Sequence, residues 1–481
     1  INMKKFLALV LIFLIANHCS FDNKSGIWND ENQKPSRNPI DIGKLEKNDE
    51  YLEDCKWATF RDKCKKKKAN RYANFKDVFS NDKELNIEKN APSNIQPIIN
   101  SPIKNIRWTE QFLNSYNNIE NLEYINNQEL LFKSSKLSKI QKNKTSPLYS
   151  KGRIISYDHK GTVFVYSTEE KRKIFEYNFY QKQFKKIKKE LFSLVEDEFI
   201  YIADNMGFIY AISMQTNKVV WAKNFGVPFR SNIKTLNNNL YLANEDNQLY
   251  SINKKNGDTN WVFSTKITNL KSNFKNNILI DEINKNIMFL NTSGELYSVS
   301  YVNKNINWIV KLKLLSNSQE NELFESLPLV ANNNKLILSS GRSIAGYDLR
   351  NQNKMWQKNF TVKTKTTVTK NNVFLLTDQD FLICLDVKSG NIIWSKNIFS
   401  QIKLNFLKIN SKKVGKISSL LIANSNILLF SEKGYLITFN LKNGYLISLK
   451  KITKSGIAGS PIIVDGNIYL FDKRNILLKY N

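Results

Sequence analysis

A fourteen-residue frame recurs along most of this 481-residue chain and constrains its fold more than any other feature. The frame opens on a turn residue, enters an alternating apolar stretch, passes a second turn and ends on tryptophan. Gly207 to Trp221 is one copy, and Asn247 to Trp261, Gly294 to Trp308, Arg342 to Trp356 and Asp380 to Trp394 repeat it. Gly161 to Phe175 and Gly434 to Ser448 keep the frame without its Trp. Successive starts lie 38 to 54 residues apart, room for four short strands and their turns. Three residues before the starts stand Asp158, Asp204, Asn244, Asn291, Ser339, Thr377 and Ser431. Their side chains can accept from nearby backbone N–H groups. Asn256-Gly257, Ser389-Gly390 and Asn443-Gly444 supply the tight second turn.

This period predicts an all-β fold, a β-propeller of four-stranded blades. A further frame opens at Asn475, with Asp472 three residues before it, and the sequence ends at Asn481 before any Trp strand. Ile106-Arg107-Trp108 is a Trp strand with no frame ahead of it. Joining the two predicts an eighth blade closed by an N-terminal Trp strand, with the propeller spanning residues 105–481. Closure removes free sheet edges. Trp108, Trp221, Trp261, Trp308, Trp356 and Trp394 are then expected to pack blade against blade, because flat rings at one spacing fill the gap between sheets.

Ahead of the propeller, Lys4 and Lys5 precede an apolar run from Phe6 to Ile15. The run is too short to cross a bilayer and reads as the core of a secretory signal peptide over residues 1–18. Cys19 follows directly, which resembles a bacterial lipoprotein signal. Lipidation of Cys19 is the expectation, with ordinary cleavage nearby as the alternative. Ser20 is compatible, by the same resemblance, with sorting to the outer membrane. Residues 19–100 are polar and rich in Asn, Lys, Asp and Glu, which predicts a disordered tether. Cys55 and Cys64 within it either close a small disulfide loop in an oxidising compartment or remain two thiols.

The blade pattern, best seen from Asp380 to Trp394 with Asp386 and Gly390 in place, resembles the PQQ-like propeller repeat. Quinoprotein dehydrogenases share that repeat, as do non-catalytic assembly lipoproteins of the BamB type. A tethered, exported eight-blade domain with little else resembles the second. The resemblance implies a scaffold in outer-membrane β-barrel assembly, lipid-anchored at the periplasmic face of the outer membrane. Its implied partners are the periplasmic domains of the barrel-forming subunit and also nascent outer-membrane proteins. The alternatives are a PQQ-dependent periplasmic dehydrogenase, or a scaffold for another envelope complex.

Composition bears on that choice. The chain has two His, His18 in the signal and His159 in a turn, so multi-His metal centres are out and no metal site is expected. No adjacent Cys pair exists, Cys384 lies within an apolar strand, and no phosphate loop is present. No catalytic residue and no cofactor are expected. The net charge of +29 favours anionic lipid or an acidic protein surface over nucleic acid, which an exported protein would rarely meet. Two insertions between blades are candidate docking loops on one face. One, Ile398 to Lys416, is basic and carries Phe399, Phe406, Lys412 and Lys413. The other, Ser316 to Phe324, is acidic with Glu320 and Glu322.

Overall fold

The computed structural model describes residues 87–92, 97–138, 146–180, 184, 186–267, 275–312, 324–406 and 409–481. It also describes the backbone of a short antiparallel pair, Cys19–Phe21 with Trp28–Asp30. The chain divides into two units, Ile1–Val78 and Phe79–Asn481. The strand pair is what is described of the first. The signal peptide, Cys55 and Cys64 lie outside the described residues, as does the side chain of Cys19.

The second unit holds eight four-stranded antiparallel sheets arranged as the blades of a propeller. Blades 1 to 7 occupy residues 148–178, 191–224, 234–264, 277–311, 330–358, 367–397 and 417–451 in unbroken strand order. Burial falls from the inner strands of a blade to its outer one. The second and third strands are almost wholly buried, as in Asn286–Leu290, while outer strands such as Ile306–Lys311 alternate between half-buried and exposed. Two faces of each blade bury apolar side chains, so the cores run between sheets. One continuous apolar cluster joins blades 7, 8, 1 and 2, which is the seam where the ring closes.

The turn before each third strand forms as the side chains dictate. Asp204 Oδ1 accepts from Met206 N at 2.8 Å and Phe208 N at 2.9 Å. Asn244, Asn291, Asp158 and Asp472 repeat this pair of bonds. Blade 5 departs from the pattern: its left-handed residue is Gly341 (φ 52), one position before the Arg342 start.

Blade 8 corrects one expectation. Its closing strand is Leu130–Lys136, paired with Ile476–Tyr480, and not the strand ending at Trp108. Phe132 faces Lys479, the register that Trp261 holds opposite Ser251 in blade 3. The edge to be covered is five residues long. Ile106-Arg107-Trp108 is too short to satisfy its N–H and C=O groups, whereas Leu130–Lys136 spans it. Trp108 instead pairs with Tyr149 in the first strand of blade 1, N to O in both directions at 2.8 and 2.7 Å.

Between blades 6 and 7 the basic insertion folds into two short helices, α1 (Ile398–Asn405) and α2 (Ser411–Val414). Asn397 and Asn410 cap them by accepting from Ser400 N and Lys413 N. No helix among the described residues is long and apolar enough to cross a membrane.

Candidate functional site

The first strands surround the propeller axis, and their inner edges carry backbone groups that need partners. Residues 105–125 supply them in a single circuit. Asn105 bonds blade 8 through Ile463 O and Asp465 N. Trp108 then meets Tyr149 of blade 1, and Thr109 O accepts from Val195 N of blade 2 at 2.8 Å. Lys234 of blade 3 donates to Asn114 O at 2.7 Å. Ser115 O and Tyr116 O accept from Ile280 N of blade 4 and Ala331 N of blade 5, both at 3.0 Å. The Asn118 amide donates to Val368 O of blade 6 at 2.7 Å and accepts from its N at 3.1 Å. Leu122 donates to Ile422 O of blade 7 and accepts from Asn424 N, and Ile125 donates to Gly466 O, back at blade 8. The segment thus plugs the axis, at the end of the first strands beside each blade's first hairpin. Trp108, Ile119, Leu122 and Tyr124 bury its apolar side.

Two lysines grip this plug from the rim. Lys234 is 1% exposed, and its ammonium lies 2.7 Å from a Glu110 carboxylate oxygen. Burial pushes the Lys234 ammonium pKa down, and Glu110 opposes that shift. Lys365 donates to Asn117 O at 2.8 Å and to Thr366 O at 3.3 Å, with its ammonium 5.8 Å from the centre of the Phe112 ring. Burial, aided by the like charge of Lys234, pushes the Lys365 pKa down to about 7. At the opposite end of the first strands of blades 3 to 5 lies a cavity of about 370 Å³. Gln111 and Phe112 of the plug form part of its wall, with Asn232, Asn276, Ser326 and Pro328. Sequence reasoning missed the plug, because its polar residues show neither a 2-residue nor a 3.6-residue period. The apolar Ile119, Leu122 and Tyr124 amid asparagines were the available signal.

The sequence-derived residues are distributed around this axis. Trp221, Trp356 and Trp394 each donate an indole N–H to the next blade, to Lys254 O at 2.9 Å, Val387 O at 2.8 Å and Leu441 O at 3.2 Å. Their rings lie on Gly257, Gly390 and Gly444, where an added Cβ would come within 2.5 to 2.6 Å of the indole. Trp261 is half-buried beside Tyr241, 6.0 Å between ring centres, and Trp308 is half-buried against the core between blades 4 and 5. Trp108 sits in the plug and is not an outer-strand ring.

Phe399 of α1 and Phe406 just beyond it are half-buried against the core of blades 6 and 7, while Leu404 is 75% exposed. Lys412 and Lys413 of α2 are exposed. Glu320 and Glu322 lie outside the described residues. Cys384 is buried in the blade 6 core, and burial pushes its thiol pKa well up. His159 is half-buried in its hairpin turn. Among the described residues no group of three His, Cys, Asp or Glu side chains could hold a metal ion.

The described residues 87–92 and 97–100 fall within the stretch expected as tether. Lys89 pairs with Ser395 on the outer edge of blade 6, N to O at 2.9 Å both ways. Asn397 N donates to Glu88 Oε1 at 3.1 Å, and Ala91 and Ile99 pack against the blade 6 and 7 core.

Eight four-stranded blades, with indoles seated on the glycine turn of the next blade at three of the joints, define a PQQ-like β-propeller protein. Residues 150–396, just over half of the chain, match the family described as outer membrane protein assembly factor BamB, and the chain belongs to that family. Among solved structures it is similar to BamB from Moraxella catarrhalis, at 12% identity and a TM-score of 0.56, covering 72% of this chain and 99% of that one. It is also similar to quinohemoprotein alcohol dehydrogenase from Comamonas testosteroni, at 10% identity and a TM-score of 0.59, covering 78% and 80%. The computationally designed Ika8 protein matches at 11% identity and a TM-score of 0.54, covering 73% and 99%. At these identities the likeness is one of fold. No curated protein sequence matches the chain.

Proposed function

We propose that this chain is a non-catalytic scaffold lipoprotein of the outer-membrane β-barrel assembly machinery. It is held by a lipid on Cys19 at the periplasmic face of the outer membrane and binds the periplasmic domains of the barrel-forming subunit. Family membership supports this reading, and one structural observation carries the choice of scaffold over enzyme. The propeller axis is filled by the chain's own residues 105–125, bonded to all eight blades. A quinone held beside a calcium ion on that axis would have to displace this segment from all eight blades. The face bearing α1 and α2 offers exposed Leu404, Lys412 and Lys413 to a partner with an apolar spot and acidic rim.

Affinity purification of the tagged chain from its native envelope in mild detergent, with mass spectrometry, tests the reading. Recovery of the barrel-forming subunit together with an acylated Cys19 peptide is the expected result. Recovery of a quinone or a cytochrome without that subunit would overturn it.

A further inference from the structure

The four strands of each blade run antiparallel in space order. Links between blades and the turns from second to third strand therefore emerge at one end of the ring, and the remaining hairpins at the other. Charge is divided unevenly between these ends. At the hairpin end acids and bases interleave. Lys151 and Arg153 share Glu198, Lys254 meets Glu196, Lys335 and Arg350 meet Asp348, and Lys104 meets Asp465. The link end of blades 7 and 8 differs. Lys403 on α1, Lys412 on α2 and Lys416 beyond it are exposed. So are Lys433 and Lys473 in the second-to-third-strand turns of blades 7 and 8, and Lys454 in the link between those blades. Glu432 is the exposed carboxylate along this stretch among the described residues, because Asp472 is buried and engaged by Arg474.

The lysines form a continuous strip. Lys433 Nζ donates to Lys412 O at 2.5 Å, and Glu432 N donates to Lys416 O at 2.9 Å, so α2 and the turn of blade 7 lie side by side. Ile457 N donates to Glu432 O, and Lys473 N donates to Gly456 O at 3.1 Å, which carries the strip across the link to the turn of blade 8. The Lys473 stem lies over Gly456, 3.2 Å from where a Cβ would stand.

The chemistry of the strip favours one kind of surface. Protein interfaces are built on aromatic and Arg anchors seated in pockets, and are depleted in Lys. Here Phe399 and Phe406 pack against the core of blades 6 and 7, and the cavity described above lies at blades 3 to 5. Compact ammonium groups on flexible stems, with no groove between them, suit a plane of phosphates that demands no shape match. Leu404 stands exposed beside Lys403, an apolar side chain that a bilayer surface can admit.

We propose that the link end of blades 6 to 8 binds the anionic headgroups of a phospholipid bilayer through this lysine strip. This names the partner of the face bearing α1 and α2, and it rests on the membrane-anchored reading above. The lipid on Cys19 holds the chain at the bilayer, and the strip sets which end of the ring faces it. Each lysine brought to an anionic surface strengthens binding about fivefold, and the gain fades as salt shortens the reach of the field.

The test uses the mature chain from residue 19 carrying Cys19→Ser, so that any membrane binding belongs to the protein surface. It is sedimented with vesicles of phosphatidylcholine alone, or of phosphatidylcholine mixed with phosphatidylglycerol. Expected is binding to the mixed vesicles at low salt, lost at high salt, and none to phosphatidylcholine alone. Lys433→Gln, Lys454→Gln and Lys473→Gln together should weaken it roughly hundredfold. Lys255→Gln, Lys304→Gln and Lys388→Gln remove the same charge from the exposed turns of the opposite end, and should weaken it less than about tenfold. Equal losses from the two triple variants overturn the proposal, because the attraction would then belong to net charge and not to this face. Equal binding to both vesicles also overturns it. Absence of binding to either, with the barrel-forming subunit still recovered from the envelope, assigns the strip to a protein and overturns the lipid proposal while leaving the scaffold reading in place.

Discussion

Lys234 and Glu110 form an ion pair of 2.7 Å between the first strand of blade 3 and the axial segment, both residues under 10% exposed. The pair ties the segment to the rim with a charge that has nowhere else to go. Glu110→Gln leaves the ammonium buried without its counter-charge and is expected to destabilise the fold by about 3 kcal/mol. Replacing both partners, K234M with E110L, is expected to cost much less. Urea unfolding of the two variants checks this, and equal losses would show that the pair is unimportant as a pair.

Trp356 and Gly390 make one joint between blades 5 and 6. Trp356→Ala removes a buried ring and its bond to Val387 O, an expected loss of about 3–5 kcal/mol. Gly390→Ala puts a Cβ 2.5 Å from that ring, at a φ of +68, and is expected to destabilise as well. Because the two changes break the same contact, the double variant should be less destabilised than the sum. A thermal-unfolding cycle reads this, and strict additivity would count against a shared joint.

Ring closure rests on Leu130–Lys136. A variant lacking these residues should expose the edge Ile476–Tyr480 and aggregate, since an uncovered strand edge templates pairing with another chain. Removal of Ile106 to Trp108 should weaken the axial segment and leave the protein monomeric. Light scattering on the two deletions separates the roles, and the reverse outcome would return closure to the Trp108 strand.

Asp348 in blade 5 supplies a pH dependence at the acid end. Burial works against its charge, yet hydrogen bonds from Lys335 and Arg350 prevail and hold its carboxyl below the usual carboxylate range. A depressed carboxylate stabilises the fold above its unfolded value of 3.8 and loses that contribution as pH falls below it. Asp348→Asn should lower stability at pH 7 and flatten the decline below pH 4. Melting temperature as a function of pH is the measurement.

Cys384 should report on unfolding. It is fully buried, and burial raises its thiol pKa, so its thiolate is scarce and shielded. In a chain with Cys19, Cys55 and Cys64 changed to Ser, an aromatic disulfide reagent should label Cys384 only as the protein unfolds in urea. Rapid labelling of the native state would show that blade 6 opens locally.

Much of the architecture was legible because blades are local objects. The Asp, Asn, Ser or Thr before each third strand, the glycine in the second turn and the indole at a constant distance act within one hairpin or between neighbours. Asp204 with Phe208, and Trp356 with Gly390, therefore leave a period in the sequence. The identity of the closing strand was not legible. Phe132 holds the register that other blades give to Trp, and Ile106-Arg107-Trp108 carries the matching letter in the wrong place. Position in space decided between them, since only one could cover a five-residue edge.

Sequence alone determined the number of blades and the turns that shape them, because each repeat must bury its own faces on its neighbours whatever the rest of the chain does. Only the tertiary structure decided what fills the axis. Residues 105–125 find partners on all eight blades, up to 360 positions away where Asp465 N donates to Asn105 O. Their bonds go to strand edges that exist only once the ring has formed. Nor does a lysine code announce that its ammonium will face backbone carbonyls in place of a carboxylate. Lys234 and Lys365 differ in that respect only through which part of the axial segment each one meets.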